Sequence, residues 1–277
     1  MNVWYASYGS NLLRRRFMTY IQGGTPEGAA EGQVGCTDPT PPLDDRPVRI
    51  PHRLFFAGRS VKWENGGVAF IEGSSPDAGG RGPEPEEHVR GIGERRREAD
   101  RNGPGIGGRR TQNDGSKPTI GGNRTQTDGS KPTIGGNRTQ TDGIPESTTL
   151  GRMYLISPDQ FREVFLQENG HTDFRRGALL DQLDPGLPNL DSALRAAEDR
   201  GRAVAGHGLY ALLLFLGRTD GMPVFSFTTS LAGEELGLNP PGPAYRRTII
   251  RGLEESHGLS RSEAEAYLES AGAPEGG

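Results

Sequence analysis

Apolar positions follow two different periods along this chain. Val3-Trp4-Tyr5-Ala6-Ser7-Tyr8 is a short run of aromatic and small residues closed by Gly9, which predicts a strand. From Leu12 the spacing widens to Leu13, Phe17, Tyr20 and Ile21, predicting a helix that ends at Gly23-Gly24. Ser10 or Asn11 is the expected N-cap of that helix, and Gly9 the expected site of unusual backbone angles. Arg53-Leu54-Phe55-Phe56-Ala57-Gly58 and Gly67-Val68-Ala69-Phe70-Ile71 read as strands joined through Glu64-Asn65-Gly66. Gly151 to Ile156 reads as another strand. The apolar run from His207 to Leu216 leads through Asp220-Gly221 into Val224-Phe225-Ser226-Phe227, a hairpin pattern.

Helical spacing returns after Ile156. Ser157-Pro158-Asp159-Gln160 combines an N-cap, a proline at the first helical position and glutamine at N3. Phe161, Val164, Phe165 and Glu168 then share one face, and Asn169-Gly170 closes the helix. Two C-terminal helices are expected: one from Pro243 to Ser256, stopping at Gly258, and one opened by the capping box Ser260-Arg261-Ser262-Glu263. Strands outnumber helices without regular alternation. The fold class is therefore α+β, with a curved or closed sheet rather than a doubly wound one.

Composition changes the picture in one respect. Of 277 residues, 43 are glycine and 21 proline, and only 32% are hydrophobic. Mean hydropathy is -0.66. Part of the length therefore contributes no core. Residues 111–143 repeat with a 14-residue period: Thr111 to Arg124 recurs as Thr125 to Arg138 with Asn113 replaced by Thr127, and a third copy breaks off at Gly143. Each unit offers one strong apolar residue, Ile120 or Ile134, which cannot build a solenoid core. Ser74 to Arg110 is similarly rich in Gly, Pro, Glu and Arg. Residues 74–147 are expected to form a disordered insertion in a surface loop of a single domain spanning 1–277, because closure entropy rises only logarithmically with loop length. Roughly 200 residues remain for the core, a normal domain size. Arg95-Arg96-Arg97 inside the insertion reads as a solvated charge run.

Charge and cysteine content narrow the function classes. The net charge of -4 gives no reason to expect a nucleic-acid partner. Cys36 is the one cysteine, so no internal disulfide can form. Met1-Asn2-Val3-Trp4 lacks a basic leader and no apolar run approaches membrane-spanning length, so the expectation is a cytoplasmic protein without a membrane partner.

Two features carry chemistry. A glycine turn between strand and helix exposes backbone N–H groups beside a helix dipole, an arrangement that suits a carboxylate or phosphate. Glu168 extends a phenylalanine stripe. Desolvation there would raise its pKa and suit it to proton transfer; the alternative is a rim glutamate paired with Arg175 or Arg176.

Together these residues resemble the γ-glutamylcyclotransferase-like superfamily. Tyr8-Gly9-Ser10-Asn11-Leu12 follows the first strand as the family's substrate-binding loop does. Gly151-Arg152-Met153-Tyr154-Leu155, Phe161 and Gln167-Glu168-Asn169-Gly170 look like its strand and the helix that ends in its catalytic glutamate. Pro240-Pro241-Gly242-Pro243-Ala244-Tyr245, with Ile249 and Gly252, is similar to its proline-rich turn and tyrosine-bearing helix. The resemblance implies a small mixed β-barrel or cradle with flanking helices. It implies cyclisation of a γ-glutamyl amine or peptide to 5-oxoproline, with Glu168 as general acid/base and Tyr8, Gly9, Ser10, Asn11 and Leu12 binding substrate. Tyr245 would support the site or serve packing. No metal or cofactor is implied, the partner is a small-molecule γ-glutamyl substrate, and the oligomeric state is left open. The chain departs from the family pattern in its bulky Trp4-Tyr5-Ala6-Ser7 lead-in and in Asn169 before the closing glycine.

Two rival readings stand beside this one. A non-catalytic small-molecule or anion-binding module would keep the turn and lack turnover. A metal-dependent amidohydrolase or deacetylase would need ligand spacing that His52, His88, His171, His207 and His257 do not show.

Overall fold

A computed structural model describes residues 2–26, 32–73, 145, 147–171 and 190–271. The repeats at 111–143, Arg95-Arg96-Arg97, His88 and the pair Arg175 and Arg176 lie outside the described residues, as does nearly all of the 74–147 segment. Everything below concerns one compact unit, formed by Met1–Glu86 and Thr139–Gly277.

The strands are β1 (Val3–Ser7), β2 (Asp44–Ile50), β3 (Leu54–Ser60), β4 (Gly66–Ile71), β5 (Thr149–Ile156), β6 (Arg202–Val204), β7 (Leu212–Thr219) and β8 (Met222–Thr228). The helices are α1 (Arg14–Gln22), α2 (Pro158–Glu168), α3 (Leu190–Arg200), α4 (Gly233–Leu236), α5 (Pro243–His257) and α6 (Arg261–Ala271). Six strands form one mixed sheet in the order β2-β5-β1-β8-β7-β6, while β3 and β4 form a separate hairpin. The α+β class follows directly. Among the described residues the sheet is open, with β2 and β6 at its edges, so the closed-barrel form of the expectation is replaced by a sheet with a hairpin beside it.

β1 shows why the first apolar run lacks polar alternation. It sits centrally, antiparallel to β5 and parallel to β8, and all five residues are buried. Successive side chains point to opposite faces. Trp4, Ala6 and Tyr8 join the core shared with β3, β4, α5 and α6, whereas Val3 and Tyr5 join the core shared with α1, α2 and α3. Both faces are covered, so both must be apolar. The second core is strongly aromatic: Tyr5 stacks on Phe227 at 4.8 Å and Phe17 on Tyr154 at 3.9 Å between ring centroids. Fully buried rings of this kind each stabilise the fold by roughly 1.5–3 kcal/mol.

Asp220 and Gly221 take the positive φ values, 52° and 76°, of a tight hairpin turn between β7 and β8. The capping box of α2 is complete, with Ser157 accepting from the Gln160 amide and Gln160 Oε1 accepting from the Ser157 amide. The capping expectation at Ser10 or Asn11 is corrected. Ser10–Leu12 forms a single 3-10 turn, and α1 begins only at Arg14 with Leu13 as N-cap and no side-chain cap. The Asn11 side chain is used elsewhere. β2 carries Asp44, Asp45, Arg46 and Pro47, a polar run without strand periodicity; Pro47 is tolerated because β2 is an edge.

Candidate active site

The turn after β1 is held from three sides. The Tyr154 hydroxyl donates to the Asn11 carbonyl at 2.7 Å, and Arg152 Nη1 donates to the Leu12 carbonyl at 3.2 Å. Arg152 is itself fixed between Asp45 and Glu255, the latter at 2.7 Å. On the third side α5 approaches so closely that a Cβ on Gly252 would lie 2.5 Å from the Leu12 Cβ and 2.6 Å from the Leu13 nitrogen. Gly252 is therefore a spacing requirement. So is Gly9: its φ of -110° does not itself demand glycine, but a Cβ there would stand 2.6 Å from the Tyr245 hydroxyl.

The turn meets the end of α2. Asn11 Nδ2 donates to Glu168 Oε1 at 2.8 Å, joining two sequence blocks 157 residues apart. Asn11 is buried, and its Oδ1 is without a hydrogen-bond partner among the described residues. Glu168 is half-buried, the last residue of its helix. The helix end is anchored by Gln167, whose Nε2 donates to the Tyr20 carbonyl at 3.0 Å and whose Oε1 accepts from the Gly35 amide at 3.2 Å. Asn169 Oδ1 accepts from the Tyr210 amide at 3.0 Å, which ties the 208–210 loop to the end of α2.

Around Glu168 and the turn is a cleft of about 300 Å³. It is lined by Tyr8, Gly9, Ser10 and Asn11 with Glu168 and Tyr245. Leu12 is buried beneath the turn in the core and does not line the cleft. Tyr245 both packs and faces the cleft: its ring lies 5.0 Å from Trp63, and its hydroxyl accepts from the Ala69 amide at 3.2 Å, with the Ser10 amide nearby.

Tyrosines ring the carboxylate. Burial pushes Tyr5, Tyr8, Tyr20 and Tyr210 above the ordinary phenol range, and the negative charge of Glu168 adds to the effect. Tyr245 is pushed up to about 12 for the same reasons, against the opposing pull of the two amides. These hydroxyls stay neutral near physiological pH. Sequence reasoning missed Arg16 altogether. It lines the same cleft at 4% exposure, its Nη2 donates to the Tyr20 hydroxyl at 3.0 Å, and that hydroxyl in turn faces Glu168. Its place on the inward face of α1, next to Phe17 and Tyr20, was the available signal.

A larger groove of about 1190 Å³ lies elsewhere, walled by β3, the 229–234 loop, Pro240 and Leu268. Four of its charges pair, Arg53 with Glu72 and Arg246 with Glu269, while Arg202 donates to the Gly73 carbonyl. Among the described residues no group of three or more His, Cys, Asp or Glu could hold a metal ion. His52 and His257 are each engaged with a backbone carbonyl, of Glu72 and Gly151. No described helix is long and apolar enough to cross a membrane.

No protein-family model matches the chain. In sequence it is similar to histone deacetylase 5 of Arabidopsis thaliana, 28% identical over 281 residues that cover 98% of this chain and 31% of that protein. The chain thus spans about a third of the length of that curated relative. Among solved structures it resembles a gamma-glutamyl cyclotransferase at 14% identity and a TM-score of 0.40, covering 100% of this chain and 91% of that one. It also resembles an uncharacterized human protein at 13% identity and a TM-score of 0.39, with the same coverage. A yeast gamma-glutamyl cyclotransferase specific to glutathione follows at 14% identity and a TM-score of 0.26, covering 98% and 95%. Likeness of this degree leaves the reaction to be argued from the site itself.

Proposed function

We propose that this protein is a γ-glutamylcyclotransferase-like enzyme that converts a γ-glutamyl amine or peptide into 5-oxoproline and a free amine. The observation that carries the reading is the 2.8 Å hydrogen bond from Asn11 to Glu168 at the cleft. It brings the glycine turn and the helix-terminal carboxylate, the two features that sequence alone singles out, into one small site.

The chemistry follows from the residue types. The α-amine and γ-carbonyl belong to one substrate, so a cleft that holds the glutamyl chain bent makes ring closure effectively unimolecular. Glu168 accepts a proton from the α-ammonium, and the freed nitrogen attacks the γ-carbonyl carbon. The C–N bond to the leaving amine then breaks as Glu168 returns the proton to it, and Glu168 takes up the second proton that the ring nitrogen sheds as the lactam forms. Asn11 Nδ2 fixes the rotamer of the carboxylate during these transfers. The Tyr245 oxygen already accepts the Ala69 amide hydrogen, so its own proton is available to the oxygen that gains charge as the tetrahedral centre forms. In this scheme Tyr8, Gly9, Ser10, Asn11 and Leu12 shape the glutamyl pocket, with Leu12 acting from beneath. No cofactor takes part in it.

The binding-module reading keeps the same cleft without turnover, and one assay separates the two. Release of 5-oxoproline is measured over a panel of γ-glutamyl amino acids and amines for the wild type and Glu168→Gln. Activity in the wild type alone is the expected result. Activity in both proteins, or in neither across the panel, removes the proposed role of Glu168. The deacetylase name belongs to the Arabidopsis relative; deacetylation of an acetyl-lysine peptide by the purified chain, abolished by a zinc chelator, would revive that reading here.

A further inference from the structure

We infer that Arg16 is the cationic anchor for the α-carboxylate of the glutamyl group, which deepens the proposed function and rests on it. Arg16 is 4% exposed, yet its hydrogen-bond partners are hydroxyls: Nη1 donates to Thr19 Oγ1 at 2.9 Å and Nη2 to the Tyr20 hydroxyl at 3.0 Å. Its guanidinium also lies 4.5 Å over the Tyr20 ring. Its Nε is buried with no partner among the described residues. Hydroxyl partners offset only part of the cost of withdrawing a guanidinium from water, and a carboxylate in direct contact would offset more. Its planar donor fork is matched to a carboxylate. The guanidinium lines the cleft that holds Glu168, so an anion entering there can meet it.

Position selects which anion. Arg16 and Glu168 flank one tyrosine hydroxyl, that of Tyr20. In the proposed reaction Glu168 takes its proton from the α-ammonium. The α-carboxylate is bonded to the same carbon as that ammonium, whereas the leaving amine lies beyond the γ-carbonyl, at the far end of the glutamyl chain. The group that comes beside Arg16 is therefore the α-carboxylate. A second consequence follows for the turn. With the carboxylate held by α1, the backbone around Gly9 and Ser10, together with Tyr245, is left to the carbonyl.

The test uses the full chain and needs no turnover. 5-Oxoproline retains the α-carboxylate and 2-pyrrolidinone is the same ring without it. Binding of each is measured by NMR titration to the wild type, Arg16→Gln and Arg16→Lys. The wild type is expected to prefer 5-oxoproline, Arg16→Gln to lose about 10- to 100-fold of that preference, and Arg16→Lys to keep part of it. In the wild type itself, 5-oxoproline should shift the Arg16 Nε–H resonance and 2-pyrrolidinone should not, a readout independent of whether the variants fold. Equal binding of the two rings by the wild type, an unmoved Arg16 resonance, or an undiminished preference in Arg16→Gln would each overturn the inference. A protein that binds 5-oxoproline through Arg16 yet releases none from any γ-glutamyl compound would sustain the anchor and refute the reaction.

Discussion

Two depressions among the described residues differ in opposite ways in size and in chemistry. The groove of about 1190 Å³ is nearly four times larger than the cleft of about 300 Å³ beside the glycine turn. Yet the groove carries two ion pairs, Arg53 with Glu72 and Arg246 with Glu269, while the cleft holds a buried arginine whose polar partners are hydroxyls and a glutamate that accepts from the Asn11 amide. A folded protein satisfies its buried polar groups unless something else is to satisfy them. The orphaned Asn11 Oδ1 and Arg16 Nε both belong to residues that line the smaller space, which is why it is the candidate site.

That contrast can be broken most sharply by paired substitutions. Glu168→Gln is expected to lower kcat by about 10²- to 10⁴-fold, the usual range for a general acid/base. Leu231→Ala in the groove wall, 46% exposed, should leave steady-state kinetics unchanged. The reverse pattern would move the site to the groove. Next in size, Gly252→Ala puts a methyl group into Leu12 Cβ and the Leu13 backbone and should cost about 1–3 kcal/mol, read as a lower urea midpoint. Stability unaffected by this change would mean that α5 does not clamp the turn.

Asn11→Ala sharpens the comparison from the other direction. It frees the Glu168 carboxylate while also removing an unpartnered buried acceptor, so activity should fall about 10-fold with little loss of stability. A large drop in thermal midpoint instead would make Asn11 a structural residue. The smallest effect belongs to His52, the chain neighbour of Arg53 in the groove wall. Burial lowers the pKa of His52 from 6.5, partly opposed by its bond to the Glu72 carbonyl. The unfolded chain then takes up a proton at higher pH than the folded one. Stability should decline as pH falls below 6.5, by at most about 1.4 kcal/mol per pH unit, until the folded-state pKa is passed. His52→Gln should flatten that slope in pH-dependent urea unfolding.

Much of the local structure was legible because it depends on neighbours in the chain. The capping box at Ser157 and Gln160, the Asp220-Gly221 turn and the strand over Val3 to Ser7 are set by backbone geometry and by local residue preference. The errors came where a tertiary partner competed. Asn11 is a good helix cap by propensity, but the carboxylate of Glu168 offers its amide a charged acceptor, and the helix starts later with no side-chain cap. β2 was invisible since its polar residues answer to β5, α1 and Arg152 rather than to a period of their own.

The sequence by itself determined the α+β class, the turn and helix that carry the candidate chemistry, and the identity of Glu168 as the residue to test. Tertiary structure decided which groups face it. It set Asn11 against the carboxylate, put the Tyr245 hydroxyl where a side chain on Gly9 would have to be, and buried Arg16 at the cleft with an orphaned Nε. Periodicity encodes only which face of an element turns inward. Which polar groups then meet, and which are left for a ligand, depends on contacts between residues more than a hundred positions apart.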